Sequence, residues 1–480
     1  MLIIRLTLTI CLLFFSALLF GQFATVWQSP VPVAESEFGY RGPRIMLRAD
    51  GQPVVLWGRS SSAMDSIFVA VGDGMGGFAK PKGLPSAGIE PFVNSNEGPS
   101  IAVNGNDIYV AFGSLSNNHG FVVHSGDGGE TWGPAIQATG LGTQLSLISI
   151  ATDRNGGAHV AYLDLAGFVP AYWYTRSEDG ISWTDPVPVN TSTPGVVCEC
   201  CWADLLVSGD TVQIFFRNND SNLRDIRVVR SVDGGLTFSV QMDLDPTDWE
   251  IFGCPVAGPD ALTLGDSVYA VFMSGATSPA QVYLASFDPH HWIYGQTRLI
   301  SPRLSRLQKV PRLAGSGNAL GAVWTETGGL PSKGRVLISQ DGVNGLKGTT
   351  FALGDSTRML NVPDIAYADG VFHVVYEQDN QVWYQRSDAT SGQDEEITSL
   401  PGLTLYPQPA INGLQRVHWP DAPAAWHAQW LSLDGRLGKL VSLSGPGPHE
   451  LEGGEGMGGW LFTTGDQSTW RPVVSSPLRD

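Results

Sequence analysis

The chain has 480 residues, 42% of them hydrophobic and 15% charged, with 58 Gly and 31 Pro. That composition excludes a disordered chain and fits a folded one made of short strands and many turns. The 46 acidic residues outnumber the 28 basic ones for a net charge of −18; nucleic acid and anionic membrane surfaces both need a basic field and are excluded as partners.

In chain order, Arg5 precedes an apolar run from Leu6 to Phe20 and then Gly21-Gln22. This is the layout of a secretory signal peptide over residues 1–21, with a retained membrane anchor as the alternative. Ile10 stands before Cys11, where a lipoprotein signal requires a small residue. No later run is apolar for long enough to span a bilayer. The expected location is therefore secreted or periplasmic, with no integral membrane segment after cleavage.

From residue 22 onward a turn pattern recurs. Ser125-Gly-Asp127-Gly-Gly129-Glu-Thr131-Trp132 and Ser231-Val-Asp233-Gly234-Gly235-Leu-Thr237-Phe238 are complete copies, and Ser177-Glu-Asp179-Gly-Ile-Ser182-Trp183 is one residue shorter. Asp suits such a turn by accepting from backbone N–H groups two residues on, and Gly supplies a positive φ. Turn aspartates fall at Asp73, Asp127, Asp179, Asp233, Asp288, Asp341, Asp388 and Asp434, a period of about fifty residues that marks a repeat architecture. Between them runs a second signal, a strand opening near a proline, a tight turn, and a strand ending in an aromatic. It begins at Pro43, Pro99, Ile148, Ala203, Pro259, Pro311, Pro363 and, more weakly, Pro407.

Each unit is thus four short strands, one blade of an all-β propeller. Eight repeats are counted, with seven or six blades as alternatives. The expected propeller covers residues 22–444. Val26-Trp27-Gln28-Ser29-Pro30-Val31-Pro32-Val33 matches the outer strand Ser182 to Val189 and is expected to complete the last blade, removing an open sheet edge. A Gly-rich extension, residues 445–480, follows.

These turns resemble the Asp-box, or BNR repeat, of the sialidase (neuraminidase) superfamily, whose propellers have six blades. Tyr40-Arg41-Gly42-Pro43 is similar to that family's N-terminal motif, whose arginine grips a substrate carboxylate. Phe216-Arg217-Asn218-Asn219, leading through Arg224 to the turn at Ser231, is similar to its segment carrying a second such arginine. Two guanidinium forks suit a fixed carboxylate because they bind it by paired, charge-assisted hydrogen bonds. The resemblance implies an exo-sialidase or related glycoside hydrolase, with a tyrosine nucleophile activated by a glutamate. The tyrosine's position falls on Asn361, and the glutamate's falls near Cys201, with Glu199 and Asp204 beside it. Arg312, Arg303 and Arg335 are candidates for a third arginine, and Asp65 for an acid.

Residues two before each repeat's opening are expected to converge on the funnel mouth: Arg41, Glu97, Ser146, Cys201, Ala257, Lys309, Asn361 and Leu405. The candidate catalytic residues are Asp65, Glu97 and Asp204, and the candidate ligand-binding residues are Arg41, Arg217, Arg312, Lys309 and Asn361. No cofactor is expected. The favoured partner is an acidic glycan or small carboxylated ligand. A non-catalytic ligand- or protein-binding propeller of the cell envelope is the competing class.

Four cysteines lie outside the N-terminal run, Cys198, Cys200, Cys201 and Cys254. An even number in an exported chain favours disulfides, with three pairings open. A soft-metal thiolate site is the rival. The segment Cys198-Glu-Cys200-Cys201-Trp-Ala-Asp204 also resembles a group of exported sialidase-like bacterial proteins of unestablished activity. Cys201 and Cys254 both precede inner strands of adjacent repeats, so a bond between them would staple two blades.

Overall fold

The computed structural model describes residues 27–34, 39–86, 88–93, 98–114, 116–166, 169–189, 195–302, 305–346 and 350–388, together with strands between 404 and 473. The expected signal peptide, Glu97, Arg303 and Asp434 lie outside the described residues.

Seven antiparallel sheets of a β-propeller follow one another along the chain, and no α-helix occurs among the described residues. Their innermost strands are Tyr40–Leu47, Ser100–Asn104, Leu145–Thr152, Asp204–Ser208, Asp260–Leu264, Leu307–Ser316 and Leu360–Ala368; blades one to seven are numbered in that order. The second strand of each blade is apolar on both faces because a blade packs against neighbours on either side. Val54, Val55, Leu56 and Trp57 are all fully buried in succession. The aromatics that end these strands, Trp57, Phe112, Tyr162, Phe216, Phe272, Trp324 and Tyr376, are at most 2% exposed. Each contributes about 1.5 to 3 kcal/mol by leaving water.

The ring is closed by Val31–Pro32, which pairs with Tyr384 and Trp383 as the outer strand of blade seven. That is the closure expected of the segment. The count of eight is corrected to seven, because the strand Thr404–Ile411 containing Pro407 belongs to another sheet. It pairs with Leu414–Trp419, which pairs in turn with Gly447–Glu452. A further four-stranded sheet is built from Trp426–Ser432, Leu437–Leu443, Gly458–Thr464 and Gln467–Val473. With blade seven already completed by the N-terminal strand, no open edge is left for an eighth repeat.

The recurrent turns are held by one hydrogen-bond pattern. The Ser125 hydroxyl donates to Asp127 Oδ1 at 2.8 Å and accepts from Gly129 N–H at 2.9 Å, while Asp127 Oδ1 accepts from Thr131 N–H at 2.8 Å. Ser231, Asp233, Gly235 and Thr237 repeat it. Gly235 has φ +87°, and a Cβ there would lie 2.0 Å from the Tyr174 ring. Backbone conformation and space both require glycine at that turn.

Around the axis, one side chain from each of five blades reaches the backbone of the next inner strand. Ser100 Oγ accepts from Ile150 N–H at 3.3 Å, and Ser149 Oγ donates to the Ala203 carbonyl at 2.6 Å. Asp204 accepts from Ala261 N–H at 2.7 Å, Asp260 from Leu313 N–H at 2.6 Å, and Asp364 from Ile45 N–H at 2.9 Å. The last of these joins blade seven to blade one. Arg44 and Arg312 fill the equivalent places in blades one and six.

Asp204, expected as a catalytic residue, is therefore an inter-blade latch. Burial, then its neighbour Asp260, raise its carboxyl above the usual carboxylate range. An uncharged acceptor can replace it. Asp204→Ala is expected to lower stability by about 1 to 3 kcal/mol through the orphaned Ala261 N–H. Asp204→Asn should melt at or above the wild-type temperature at neutral pH, and paired denaturant titrations of the two variants check this.

Candidate functional site

At the mouth where the inner strands begin, blades six, seven and one share a bulge. Register shifts fall between Lys309 and Arg312, between Asn361 and Asp364, and between Arg41 and Arg44. The residue after each leading side chain has positive φ: Val310 at 54°, Val362 at 45° and Gly42 at 55°. For a β-branched residue this conformation is strained. Burial of both valine side chains in the core cluster around Trp202 offsets the strain. The bulges set Lys309, Asn361 and Arg41 at one phase of three consecutive blades.

Arg41 is held from below. Its Nη1 donates to Glu377 Oε1 at 2.9 Å, to the Tyr40 carbonyl at 3.1 Å, and to Asn380 Oδ1. Glu377 is 5% exposed and the Arg41 side chain 26%, so this ion pair joins a buried carboxylate to a partly exposed guanidinium. Among the described residues, Nε and Nη2 of Arg41 make no hydrogen bond. Asn361 is paired in register with Glu377, and its Oδ1 accepts from the Ser332 hydroxyl at 3.3 Å. Lys309 is half-buried and has no ion pair among the described residues.

The other expected ligand-binding arginines are committed elsewhere. Arg217 is fully buried and donates to three backbone carbonyls, Ala257 at 3.2 Å, Arg224 at 2.6 Å and Met273 at 2.7 Å. It ties blade four to blade five and presents no fork to a ligand. Arg312 lies inside the axial cavity, where its Nη1 contacts Asp260 Oδ1 at 3.2 Å and its guanidinium sits 5.0 Å from the Trp202 ring. Arg335 is paired with Glu326 at 2.9 Å. Asp65 is half-exposed and accepts from Ser61 N–H at 3.0 Å, a turn role.

The axial cavity has a volume of about 520 Å³ and is lined by all seven inner strands, with Arg44, Asp204, Asp260, Arg312 and Asp364 as its charged groups. These follow the opening residue of each repeat by one position, so the phase that faces the axis lies three residues beyond the phase expected from sequence. The proline-then-charge pairs Pro43-Arg44, Pro259-Asp260, Pro311-Arg312 and Pro363-Asp364 were the available signal. Burial and Arg312 bring the Arg44 guanidinium down to about 9. Burial also opposes the charge on Arg312, but Asp260, Asp364 and Asp204 outweigh it. Positive and negative groups neutralise each other here, so the cavity's charged side chains leave little net field.

On the far side of the mouth stand the cysteines. Cys200 is bonded to Cys254, with Cα atoms 6.3 Å apart, and Cys198 and Cys201 are thiols. The expected staple between the loops preceding blades four and five exists, but through Cys200 and not Cys201. Closing this loop of 54 residues stabilises the fold by about 4 kcal/mol in the chain-entropy account. Cys198 is placed by Val196–Val197, which pairs with Asn218 and Asn219, and its N–H donates to the Arg217 carbonyl at 2.8 Å. Gly258 is required beneath, since a Cβ there would meet the Trp202 carbonyl at 2.1 Å.

No protein-family model matches the sequence, and no curated protein matches it. Among solved structures, polysaccharide lyase Uly1 shares 10% identity, covering 74% of this chain and 93% of its own, with a TM-score of 0.49. Trypanosoma rangeli sialidase bound to the inhibitor DANA shares 13% identity over 94% of this chain and 84% of its own, at 0.41. The α-L-arabinofuranosidase ARB93A from Fusarium graminearum shares 11% over 76% and 97%, also at 0.41. The propeller assignment rests on the strand pairing described above.

Beneath the cysteine loop, Asp225 and Asp245 are both fully buried. Burial, then Asp245 and Asp243, push the Asp225 carboxyl up to about 7. A folded-state value above the unfolded one means that the native chain binds the extra proton, so stability falls as pH rises from about 4 to about 7. Asp225→Asn keeps the acceptor that Trp249 N–H uses at 3.2 Å and removes the charge. Its melting temperature should rise relative to wild type at pH 8 and converge with it near pH 4, measured by calorimetry across that range.

Proposed function

We propose that this chain is an exported propeller that binds a carboxylated sugar at the rim made by Arg41, Lys309 and Asn361, without hydrolysing it. The observation that carries this is the state of Arg41. Glu377 and Asn380 fix one edge of its guanidinium, leaving Nε and Nη2 directed away from those partners as a ready fork for a carboxylate. Lys309 adds a second positive charge from the adjoining part of the ring, and the Asn361 carboxamide offers both a donor and an acceptor to hydroxyl or acylamino groups. In a protein of net charge −18, Lys309, which has no ion pair among the described residues, supplies the local positive charge that an anionic ligand requires, and Arg41 supplies directed N–H donors beside its pair with Glu377.

Hydrolysis in the manner of a sialidase lacks two of its parts here. On the sequence resemblance Asn361 falls at the nucleophile's position, and a carboxamide cannot form the covalent intermediate. Arg217, the second expected clamp, is consumed by backbone carbonyls.

Calorimetric titration with N-acetylneuraminic acid and with galacturonic acid at low ionic strength tests the proposal. Arg41→Lys preserves the charge opposite Glu377 but removes the fork; it and Lys309→Ala should each weaken binding about tenfold or more, with affinity falling as salt is added. No saturable binding of either acid, or full affinity in both variants, overturns the rim as the site. Fluorophore release from a sialoside reporter overturns the non-hydrolytic part alone.

A further inference from the structure

The four cysteines form a series from surface to interior. Cys254 is exposed, Cys200 is half-buried, and Cys198 and Cys201 are both 0% exposed. The sulfurs are in mutual contact: Cys198 Sγ lies 3.1 Å from Cys201 Sγ and 3.6 Å from Cys200 Sγ, and Cys200 Sγ lies 3.9 Å from Cys201 Sγ. An outer disulfide therefore touches an inner dithiol of spacing Cys-x-x-Cys. The buried pair has no surface of its own through which to meet a soluble oxidant. Its only sulfur neighbour toward solvent, among the described residues, is the Cys200–Cys254 bond.

One thiol of the inner pair is singled out. Arg224, itself 5% exposed, donates from Nη1 to Cys198 Sγ at 3.0 Å and contacts Glu199 at 3.3 Å. A buried guanidinium against sulfur favours the thiolate, the nucleophilic form. The hydrogen-bond contact with Cys201 Sγ acts in the same direction, ahead of Arg224 and Arg217, and draws the Cys198 thiol below its ordinary value, whereas burial and Cys198 hold Cys201 above it.

We propose that the four cysteines are a two-step thiol–disulfide relay, in which the buried Cys198 and Cys201 exchange with the Cys200–Cys254 bond and, through Cys254, with low-molecular-weight disulfides. In the first step Cys198 thiolate attacks Cys200 Sγ; the Cys198–Cys200 bond forms, and Cys254 leaves as thiolate and takes a proton from solvent. In the second, Cys201 gives up its proton and attacks Cys198 Sγ, forming Cys198–Cys201 and releasing Cys200 as the thiol. Two electrons pass from the inner pair to the outer pair, and no external oxidant is consumed. The reduced outer pair is reoxidised when Cys254 attacks an external disulfide and Cys200 resolves the mixed disulfide, with two small thiols released. This activity is independent of the sugar-binding rim.

Three clustered sulfurs also suit a soft metal ion, and the test separates the two outcomes. The full chain is reduced, freed of reductant under anaerobic conditions, and given one equivalent of glutathione disulfide. Samples are alkylated at intervals and their disulfides mapped by peptide mass spectrometry. Cys200–Cys254 should appear first and Cys198–Cys201 later, at constant total disulfide. Cys201→Ser should accumulate the Cys198–Cys200 bond, and Cys198→Ser should slow labelling of Cys254 in the outer-bonded chain about tenfold. The redistribution in the wild-type chain needs no variant, so a misfolded mutant does not spoil the test. An inner bond that never forms overturns the relay. So does one that forms equally fast in a Cys200→Ser/Cys254→Ser chain, or a reduced chain that resists oxidation while holding stoichiometric copper or zinc.

Discussion

The ring depends on side chains at one phase of five inner strands reaching the backbone of the next. A propeller blade is a twisted sheet that buries both faces, and its innermost strand is short and crowded against six others at the axis. Backbone N–H and C=O groups on its inward edge have no sheet partner and little water, so each is costly unless a side chain meets it. Ser100, Ser149, Asp204, Asp260 and Asp364 meet five of these needs. The two arginines then balance the charge that the aspartates bring in. This explains why a cavity of about 520 Å³ with five charged groups is a structural element. Its carboxylates are already engaged, and its guanidiniums already have partners.

That constraint also separates what the sequence could disclose from what it could not. The blade repeat is local: an aspartate turn, a proline near the start of a strand, an aromatic at the end of the next. Local signals of this kind survive without any knowledge of the partner blade, which is why the boundaries of seven repeats and the closing strand at Val31–Pro32 were legible. Repeat number is different. Pro407 carries the same local pattern as its predecessors, but whether it makes a blade depends on an edge left unpaired far away, and Trp383 and Tyr384 are already paired with the N-terminal strand.

Arginine roles were the least legible part for a related reason. Arg41 and Arg217 stand in similar surroundings in the sequence, each beside an aromatic and ahead of a turn. Arg41 ends partly exposed, with its described partners on Nη1 alone. The other is surrounded by the carbonyls of Ala257, Arg224 and Met273, two of which come from the following blade and its leading loop. Satisfaction of a guanidinium is a tertiary property, set by whichever backbone curves around it. The axis-facing phase lies three residues beyond the expected one in bulged and unbulged blades alike, as with Asp204 after Cys201 and Asp260 after Ala257, because which residue of a strand meets the axis is set by packing between blades.

The bulges at Gly42, Val310 and Val362 divide the mouth into two chemically distinct halves. Blades six, seven and one bend their leading residues outward and place Lys309, Asn361 and Arg41 where a ligand can be reached. In blade four and the loop before blade five, the corresponding places are taken by Cys201 and Ala257, both fully buried, with Trp202 packed between them and reaching two blades away to Arg312. The indole lines the axial cavity on the side of the sulfur cluster. The part-exposed Arg41, Lys309 and Asn361 and the buried sulfurs thus stand at one end of the propeller on different blades. The apolar cluster around Trp202 is the same one whose burial holds Val310 and Val362 in their strained conformation.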